Sequence, residues 1–409
     1  MKSKNSRWKW ITIVVIIVII TNVITLCAAN YISFNMPNGK VLVSRNTYEN
    51  IIDFEKLNTI REKLDKYYLG EIDTDKLLDG AAAGMVEALG DPYTTYMDKA
   101  EFKDFYSQTE GNYVGLGIQV AVKNDKIVVV STFENSPAEK VGIRSGDIIE
   151  VVDGTKVEGK DLENAIATMK GEKGKSVKLT LSRENKGNFE VEPVRAEIEM
   201  VTVKKEMIDN EVGYIEVSMF DEHTSKNFEN AIKDLHSKGM KSLILDLRGN
   251  PGGLLDQTVN MCSQFISKDK NIVYTEDKNG NRKDYNSVGG IAEGLPLTVL
   301  IDGGSASASE IFTGAVKDYE LGTLVGTKTF GKGVVQTTFY REKDGFSDGT
   351  ALKVTISKYF TPNGQNIHGI GIEPDVEVKY PEELKDQTYN RAADPQFKKA
   401  LEIAKNKVK

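Results

Sequence analysis

The chain has 409 residues, of which 40% are hydrophobic and 28% are charged, and its formal net charge at pH 7 is −7. This length and composition predict a globular protein with room for two or three domains, and the negative charge argues against a general affinity for nucleic acid. The cysteines are Cys27 and Cys262, and the first lies in an apolar segment, which makes a disulfide between them implausible.

An uncharged apolar segment near the start of the chain predicts a membrane anchor. Residues 11–29 carry no charge, begin with ITIVVIIVII and are long enough to cross a bilayer core as one helix. Basic residues precede this segment and acidic residues occur only after it. We therefore expect residues 1–10 to form a cytoplasmic tail and the chain from Asn30 onward to lie outside the cytoplasm. A signal peptide cleaved near Ala28-Ala29 is the alternative.

Residues 31–111 show helical periodicity and are predicted to form an N-terminal helical region. Apolar residues recur at intervals of three and four within 54–67 and again within 77–89, and Asp73-Thr74 has the character of a helix cap. Gly90-Asp91-Pro92 predicts the end of the second helix. We expect these helices to pack on a core or on a second copy of the chain rather than to supply catalytic groups.

Residues 112–192 change to short β-type runs separated by glycine turns. The order of these runs, and above all SPAEKVGIRSGDIIEVVDG at 136–154, resembles a PDZ domain. The resemblance implies that GLGI forms the carboxylate-binding loop, with backbone N–H groups that hold the end of a peptide while the peptide extends along a free sheet edge. A purely structural β-module is the alternative. The residues of the predicted loop are Gly115, Leu116, Gly117 and Ile118.

Predicted strands and helices alternate over residues 193–380. An amphipathic helix is expected at 223–239, SLILDLR (242–248) has the continuous apolar character of a buried strand, and GNPGG (249–253) turns into the next helix. This alternation predicts an α/β core with its functional groups at the carboxyl ends of the strands. Residues 381–409 are predicted to form a charged helical tail.

Ser305, Ser307 and Ser309 lie where a predicted strand gives way to a predicted helix. The apolar run LTVLID ends at Asp302, and helical spacing begins after the small residues that follow. A hydroxyl at such a junction faces a cleft beside the unpaired N–H groups of a helix start, which stabilise negative charge. Further along, Lys332 lies between two glycines, which permit close backbone approach and a poorly hydrated amine. The pattern predicts a serine nucleophile with a lysine base.

The motifs GGSASASEIF, TFGKGVVQ and LILDLRGNPGG resemble those of the C-terminal processing peptidases, or tail-specific proteases, over roughly residues 50–380. The resemblance implies that Ser307 is the nucleophile, Lys332 the base and Gln336 the residue that orients the lysine. It also implies an oxyanion site made by backbone N–H groups and a set of supporting polar residues. These are Gly253 and Ala308 for the oxyanion, and Glu310, Asp318 and Thr329 for support.

A lysine can act as a base near neutral pH only if its pKa falls well below the ordinary value of about 10.4. Burial of Lys332 among apolar neighbours such as Phe330 and Val334 would lower that pKa. The neutral Gln336 would accept a hydrogen bond from the amine without restoring its charge, whereas a carboxylate would raise the pKa.

Other nucleophiles are weaker alternatives. Ser305 or Ser309 would take the role of the middle serine if the junction were placed one turn away. Ser267 and Lys270 have the spacing found in penicillin-binding enzymes, but no KTG motif follows them and SKDK has the character of a solvated turn.

A histidine base is also less favoured. His223 and His236 lie on or beside an amphipathic helix, where histidines usually face solvent, and His368 has no accompanying serine motif. The acidic residues show no metal-ligand spacing, so we expect neither a metal ion nor another cofactor.

Together these features predict an α/β protease core with an inserted mostly-β PDZ domain, flanking helical segments and an N-terminal transmembrane helix. The expected function is that of a membrane-anchored serine endopeptidase outside the cytoplasm. Its PDZ domain would capture protein or peptide substrates by their free C-termini and keep the protease inactive until a tail binds. The flanking helices are expected to form a homodimer. The alternative from another class is a catalytically inactive PDZ adaptor.

Overall fold

The structure is a computed structural model that describes residues 4–29, 31–36, 39–44, 48–49, 52–133, 135–184, 186–385 and 389–408. Residues 1–3 of the predicted cytoplasmic tail lie outside the described residues. The chain divides into two compact units, residues 1–81 and residues 82–409.

The first unit begins with helix α1 (Lys4–Ala29), an antiparallel hairpin of strands β1 (Tyr31–Met36) and β2 (Gly39–Ser44), and helix α2 (Glu55–Tyr67). The hairpin corrects the helical prediction for the start of residues 31–111. Both strands are rich in β-branched and aromatic residues, which favour strands. Within the described part of the chain, none of the helices combines the length and the apolar character needed to span a membrane.

Helix α3 (Thr74–Glu87) crosses the boundary at residue 81 and ends before Gly90, as its sequence indicates. Strand β3 (Thr95–Met97) and helix α4 (Lys99–Glu110) follow. The Asp98 side chain accepts hydrogen bonds from the backbone N–H groups of Ala100 and Glu101, which is why α4 starts where it does.

The next region forms a mostly-β module around one sheet. Its strands run in the order β10-β9-β7-β6-β5, with β8 paired to β7, so that β5 lies at an edge. Strand β4 does not join this sheet and pairs with β11 instead. The elements are β4 (Asn112–Gly115), β5 (Ile118–Lys123), β6 (Lys126–Thr132), α5 (Pro137–Lys140), β7 (Ile148–Val152), β8 (Thr155–Lys156), α6 (Leu162–Met169), β9 (Leu179–Arg183), β10 (Gly187–Val191) and β11 (Ala196–Glu199).

The remainder alternates strands and helices. Its elements are β12 (Val203–Ile208), β13 (Val212–Val217), α7 (Thr224–Ser237), β14 (Ser242–Asp246), α8 (Leu255–Ser263), β15 (Asn271–Asp277), β16 (Arg282–Asn286), β17 (Leu297–Ile301), α9 (Ala308–Asp318), β18 (Gly322–Gly326), β19 (Val334–Phe339), β20 (Ala351–Phe360), β21 (Val376–Glu377), α10 (Glu382–Lys385) and α11 (Pro395–Asn406).

The main sheet of this region has the order β12-β13-β14-β17-β18-β21 and is parallel from β13 onward. All residues of β14 and β17 are buried, which matches their continuous apolar sequences. Because β14 and β17 are parallel neighbours, the loops that follow them emerge side by side at the carboxyl edge of the sheet. A second sheet, β16-β15-β20-β19, carries β3 on β20.

The C-terminal helix is part of the core rather than a free tail. Its residues Phe397, Ala400 and Ala404 are at most 5% exposed and pack against Tyr214 and other apolar side chains of the main sheet. The partly buried Arg248 guanidinium, which follows β14, also donates a hydrogen bond to the Asp394 carboxylate before α11 at 2.7 Å. The apolar face of α11 is therefore occupied within this chain.

Candidate active site

Ser307 lies at a sharp turn between strand β17 and helix α9. Its backbone has φ 55° and ψ −111°, which is an unusual conformation for a residue with a side chain. Its N–H donates to the Glu310 carboxylate at 2.9 Å, and its carbonyl oxygen accepts from the Tyr359 hydroxyl at 3.2 Å. These contacts hold the turn, and the Ser307 side chain stays partly accessible to solvent.

The flanking serines serve the packing of the turn. Both are fully buried, and the Ser305 hydroxyl donates to the carbonyl oxygen of Leu247 at 2.8 Å while that of Ser309 donates to the carbonyl oxygen of Asn250 at 3.0 Å. They join the serine turn to the loop after β14. The structure thus distinguishes the partly exposed middle serine from its two buried neighbours.

The loop Asn250–Gly253 lies directly against Ser307. A Cβ atom placed on Gly252 would lie 2.8 Å from the Ser307 Cβ and 2.9 Å from the Ala308 nitrogen. The Asn250 side chain holds the loop by accepting from the Gly252 N–H at 2.9 Å and donating to the carbonyl oxygen of Val217 at 2.8 Å. Among the described residues, the N–H groups of Gly253 and Ala308 have no hydrogen-bond acceptor, so both are available to a ligand.

Glu310 joins the serine turn to the lysine loop. This carboxylate is 0% exposed. One of its oxygens accepts from the Thr329 hydroxyl at 2.6 Å and from the Gly331 N–H at 2.7 Å. The other accepts from the backbone N–H groups of Ser307 and Lys332, at 2.9 and 2.8 Å. The predicted supporting residues Glu310 and Thr329 therefore lie at the centre of the site.

Asp318 lies elsewhere, at the far end of α9. Its carboxylate accepts from the backbone N–H of Asn363 at 2.8 Å, so it holds a loop rather than contacting the serine or the lysine. Helix α9 begins beside Ser307 and ends at Asp318, so Asp318 lies at the opposite end of the helix from the serine.

The Lys332 amine is partly buried. It lies 4.9 Å from the centre of the Tyr93 ring. Burial lowers the pKa of the Lys332 amine and the positive charge of Lys353 lowers it further, whereas the carboxylates of Asp91 and Glu310 raise it. Val334 is buried, but Phe330 is 58% exposed, so it does not provide the apolar cover that we expected from the sequence.

The side chains of the three predicted catalytic residues are not bonded to one another. Within the described part of the chain, the Lys332 amine makes no hydrogen bond to the Ser307 hydroxyl or to Gln336. The Gln336 amide nitrogen is buried and has no hydrogen-bond partner among the described residues. A buried amide nitrogen without a hydrogen-bond partner costs free energy, so this position is not stabilised by the described residues alone.

The predicted carboxylate loop borders a cavity of about 400 Å³. Apolar side chains of Leu116, Ile118, Ile166 and Met169 line it, between the edge strand β5 and helix α6. The N–H groups of Leu116 and Gly117 donate to no acceptor among the described residues. The cavity therefore combines an apolar pocket with free donors, as a peptide terminus requires.

Several residues of this region carried no recognisable signal in the sequence. Tyr93 and Lys353 act on Lys332 from distant segments, and the residues of α4 that line the cavity lie before the predicted PDZ domain. Gly90-Asp91-Pro92 was informative only as a helix end. Gly252 could have been found, because GNPGG places two adjacent glycines after a buried strand.

Family models match most of the chain. A model of peptidase family S41 matches residues 211–378, a PDZ-domain model matches residues 114–192, and a model of the N-terminal domain of the activating protease CtpB matches residues 28–101. Ser307, Lys332 and the loop Asn250–Gly253 all fall within the S41 match.

Curated relatives extend the similarity to nearly the whole chain. The carboxy-terminal processing protease CtpA of Bacillus subtilis is 39% identical over 379 residues, which cover 91% of this chain and 80% of that protein. A CtpA-like serine protease of Staphylococcus haemolyticus is 36% identical over 408 residues, which cover 98% of this chain and 79% of the relative.

A crystal structure from Bacteroides fragilis assigned to the S41 proteases matches the fold with a TM-score of 0.53, at 15% identity, over 83% of this chain and 93% of that one. This likeness concerns the fold alone. The extent of the curated matches decides the family: the chain belongs to peptidase family S41 and is a serine-type peptidase of the carboxy-terminal processing group, with a PDZ domain.

Proposed function

We propose that this peptidase cleaves exported or membrane-tethered proteins that present a free C-terminus, with Ser307 as nucleophile, Lys332 as base and Gln336 as the residue that orients the lysine. The observation that carries the proposal is the shared Glu310 carboxylate. One of its oxygens accepts from the backbone N–H groups of both Ser307 and Lys332, which keeps the two residues in one site.

The chemistry follows from the groups around the serine. The Ser307 hydroxyl gives its proton to the Lys332 amine as its oxygen attacks the peptide carbonyl, and the amine then passes the proton to the leaving nitrogen. The N–H groups of Ala308 and Gly253 stabilise the oxyanion, and water releases the acyl group by the same steps in reverse order. Burial prepares Lys332 for this role because it lowers the pKa of the amine.

The proposal includes activation by the tail. In the observed state the Lys332 amine lies on the Tyr93 ring and the Gln336 amide nitrogen has no partner among the described residues. Reaction requires the amine to approach the Ser307 hydroxyl. We infer that a peptide terminus bound at Gly115–Ile118 favours this rearrangement, which makes the observed arrangement the resting state of the enzyme.

A membrane anchor at residues 11–29 is a further part of the proposal and rests on the sequence. The segment is uncharged and follows a cluster of basic residues. The full chain is expected to stay with membranes during extraction at high pH, and a chain without residues 1–29 to become soluble. Release of the full chain by such extraction would contradict the anchor.

The proposed homodimer interface lies on the N-terminal unit. Helix α2 has no buried residue, and it exposes Leu57, Ile60 and Tyr67 by 41%, 46% and 67%. A second copy of this helix would cover an apolar face of the same kind. Sedimentation at micromolar concentration should give a dimer, and replacement of Leu57 and Ile60 by serine should give a monomer. A monomeric parent chain would contradict this.

Replacing Ser307 or Lys332 by alanine should abolish cleavage of a tailed substrate, because hydrolysis loses its nucleophile or its base. Binding of a tail peptide should survive, since neither side chain lines the cavity at the PDZ domain. Products are read by mass and binding by fluorescence anisotropy, with Ser267→Ala as the control that keeps full activity. Normal cleavage by Ser307→Ala would refute the assignment, and a parent chain that binds tails without cutting them would indicate an adaptor.

Gly252→Ala should lower the rate of cleavage about 100-fold or more, as the loss of an oxyanion donor does in other enzymes. The new Cβ would meet the Ser307 Cβ and the Ala308 nitrogen at under 3 Å, and the backbone has φ +104°. Gly303→Ala is the matched control in the neighbouring loop, because its Cβ would meet no atom nearer than 4.0 Å. Equal rates for the two variants would count against the proposed oxyanion site.

The single-turnover rate should rise with pH as the Lys332 amine loses its proton, with a midpoint below the ordinary pKa of lysine. Lys353→Met should move this rise to higher pH, because the nearby positive charge that lowers the pKa of Lys332 is removed. Lys358→Met, on the same strand, serves as control and should leave the profile in place. A rise that Lys353→Met does not move would count against Lys332 as the titrating base.

A further inference from the structure

One continuous segment, residues 91–110, runs from the catalytic lysine to the tail-binding cavity; we call it the linking segment. At its start, the Tyr93 ring lies 4.9 Å from the Lys332 amine and packs edge-on against His368 at 6.0 Å. The Asp91 carboxylate fixes this end by accepting from the Tyr93 N–H at 3.0 Å and from the Thr94 hydroxyl at 2.6 Å. The ring is therefore held in a defined place under the amine.

The middle of the linking segment packs on the strands that carry the lysine site. Strand β3 pairs with β20 at its Ala351–Lys353 end. In α4, the rings of Phe102 and Tyr106 contact the Tyr340 ring, with centres 5.1 and 5.7 Å apart. The Lys353 amine, whose charge lowers the pKa of Lys332, lies 5.2 Å from the centre of the Phe105 ring. A shift of α4 would therefore change the packing at β20 and around Lys353.

The end of the linking segment forms one wall of the tail-binding cavity. Asp104, Ser107 and Gln108 on α4 line the same 400 Å³ space as Leu116 of the carboxylate loop and Met169 of α6. A peptide terminus in this cavity would therefore touch the PDZ domain and α4 together. Such a ligand would lose or gain contacts if α4 moved, and a difference in contacts between two states is the requirement for shifting a conformational equilibrium.

We propose two roles for the linking segment. Its helix α4 completes the binding site for a free peptide C-terminus, and Tyr93 is a positioning residue whose ring holds the Lys332 amine away from Ser307 until that site is filled. The inference rests on the proposed function and adds to it the residues that connect the two sites. An aromatic face attracts a cationic amine strongly enough to bias its position severalfold. Tail binding then needs only to move α4 enough to weaken this contact.

The first test removes the ring. Tyr93→Leu takes away the face that holds the amine, whereas Tyr93→Phe keeps the ring and loses only the hydroxyl. Each full-length protein in detergent is given a tailed substrate and the same substrate with an amidated C-terminus. We expect Tyr93→Leu to cut the amidated substrate about three to ten times faster than the parent, so that its preference for the free tail falls by the same factor.

Rescue by Tyr93→Phe distinguishes a positioning ring from a structural one. The Phe variant should keep the preference of the parent chain for the free tail. A folded Tyr93→Leu variant with an undiminished preference would overturn the role of the ring. Equal loss of preference in both variants would also overturn it, because the hydroxyl rather than the aromatic face would then matter.

The second test addresses the wall of the cavity. Ser107→Trp should fill part of the space and weaken binding of a free-tail peptide at least tenfold. Lys103→Trp, at an exposed position of the same helix that does not line the cavity, is the control and should bind normally. Binding is measured in the Ser307→Ala background, so that the peptide is not consumed. Unchanged affinity in a folded Ser107→Trp variant would show that α4 is not part of the site.

Failure of the inference and failure of the proposed function are separable. A parent chain that cuts free and amidated tails at equal rates would refute tail activation itself. Full activity of Ser307→Ala would refute the catalytic assignment. The remaining case is that the parent chain prefers free tails and Ser307→Ala is inactive, but the Tyr93→Leu and Ser107→Trp variants behave like the parent chain. That result would exclude the role of the linking segment alone.

Discussion

The buried Glu310 carboxylate, which accepts four hydrogen bonds, organises this site. Glu310 is fully buried and accepts from Thr329, Gly331, Ser307 and Lys332, and three of these donors are backbone N–H groups. A buried charge without such donors would be very unfavourable. The serine turn and the lysine loop therefore cannot separate without exposing or orphaning this carboxylate. The same interaction fixes the strained Ser307 backbone, which places an otherwise ordinary hydroxyl beside free N–H donors.

The parallel sheet supplies the second half of the site. Because β14 and β17 are adjacent, Asn250–Gly253 and the serine turn leave the sheet together and are joined by the buried hydroxyls of Ser305 and Ser309. Close approach of these loops requires glycine at 252, where a Cβ would collide with Ser307. The placement of the Gly253 and Ala308 N–H groups near Ser307 is thus set by backbone geometry.

The PDZ domain and the protease core are connected by more than the covalent chain. Helix α4 contacts the tail-binding cavity on one face and the strands beside Lys332 on another. Its capped start and the contacts of Phe102 and Tyr106 with Tyr340 hold this helix against the protease core. A rigid element between two sites can transmit a small displacement, whereas a flexible linker would absorb it. At the protease end of this connection, the Lys332 amine lies on the Tyr93 ring and the Gln336 amide nitrogen has no hydrogen-bond partner among the described residues.

Sequence patterns alone determined the S41 family, the PDZ domain and the strand–helix alternation, including the helix at Thr224–Ser237 and the buried strand Ser242–Asp246. They also singled out Ser307 and Lys332, because turn glycines and hydroxyls at a strand end are local signals. Tertiary structure decided the burial of α11 against the sheet, the exposure of Phe330, the remote position of Asp318 and the contact between Tyr93 and Lys332. The physical reason is that periodicity and turn chemistry report on neighbours in the chain. What covers a side chain or lies under an amine depends on residues that only folding brings together.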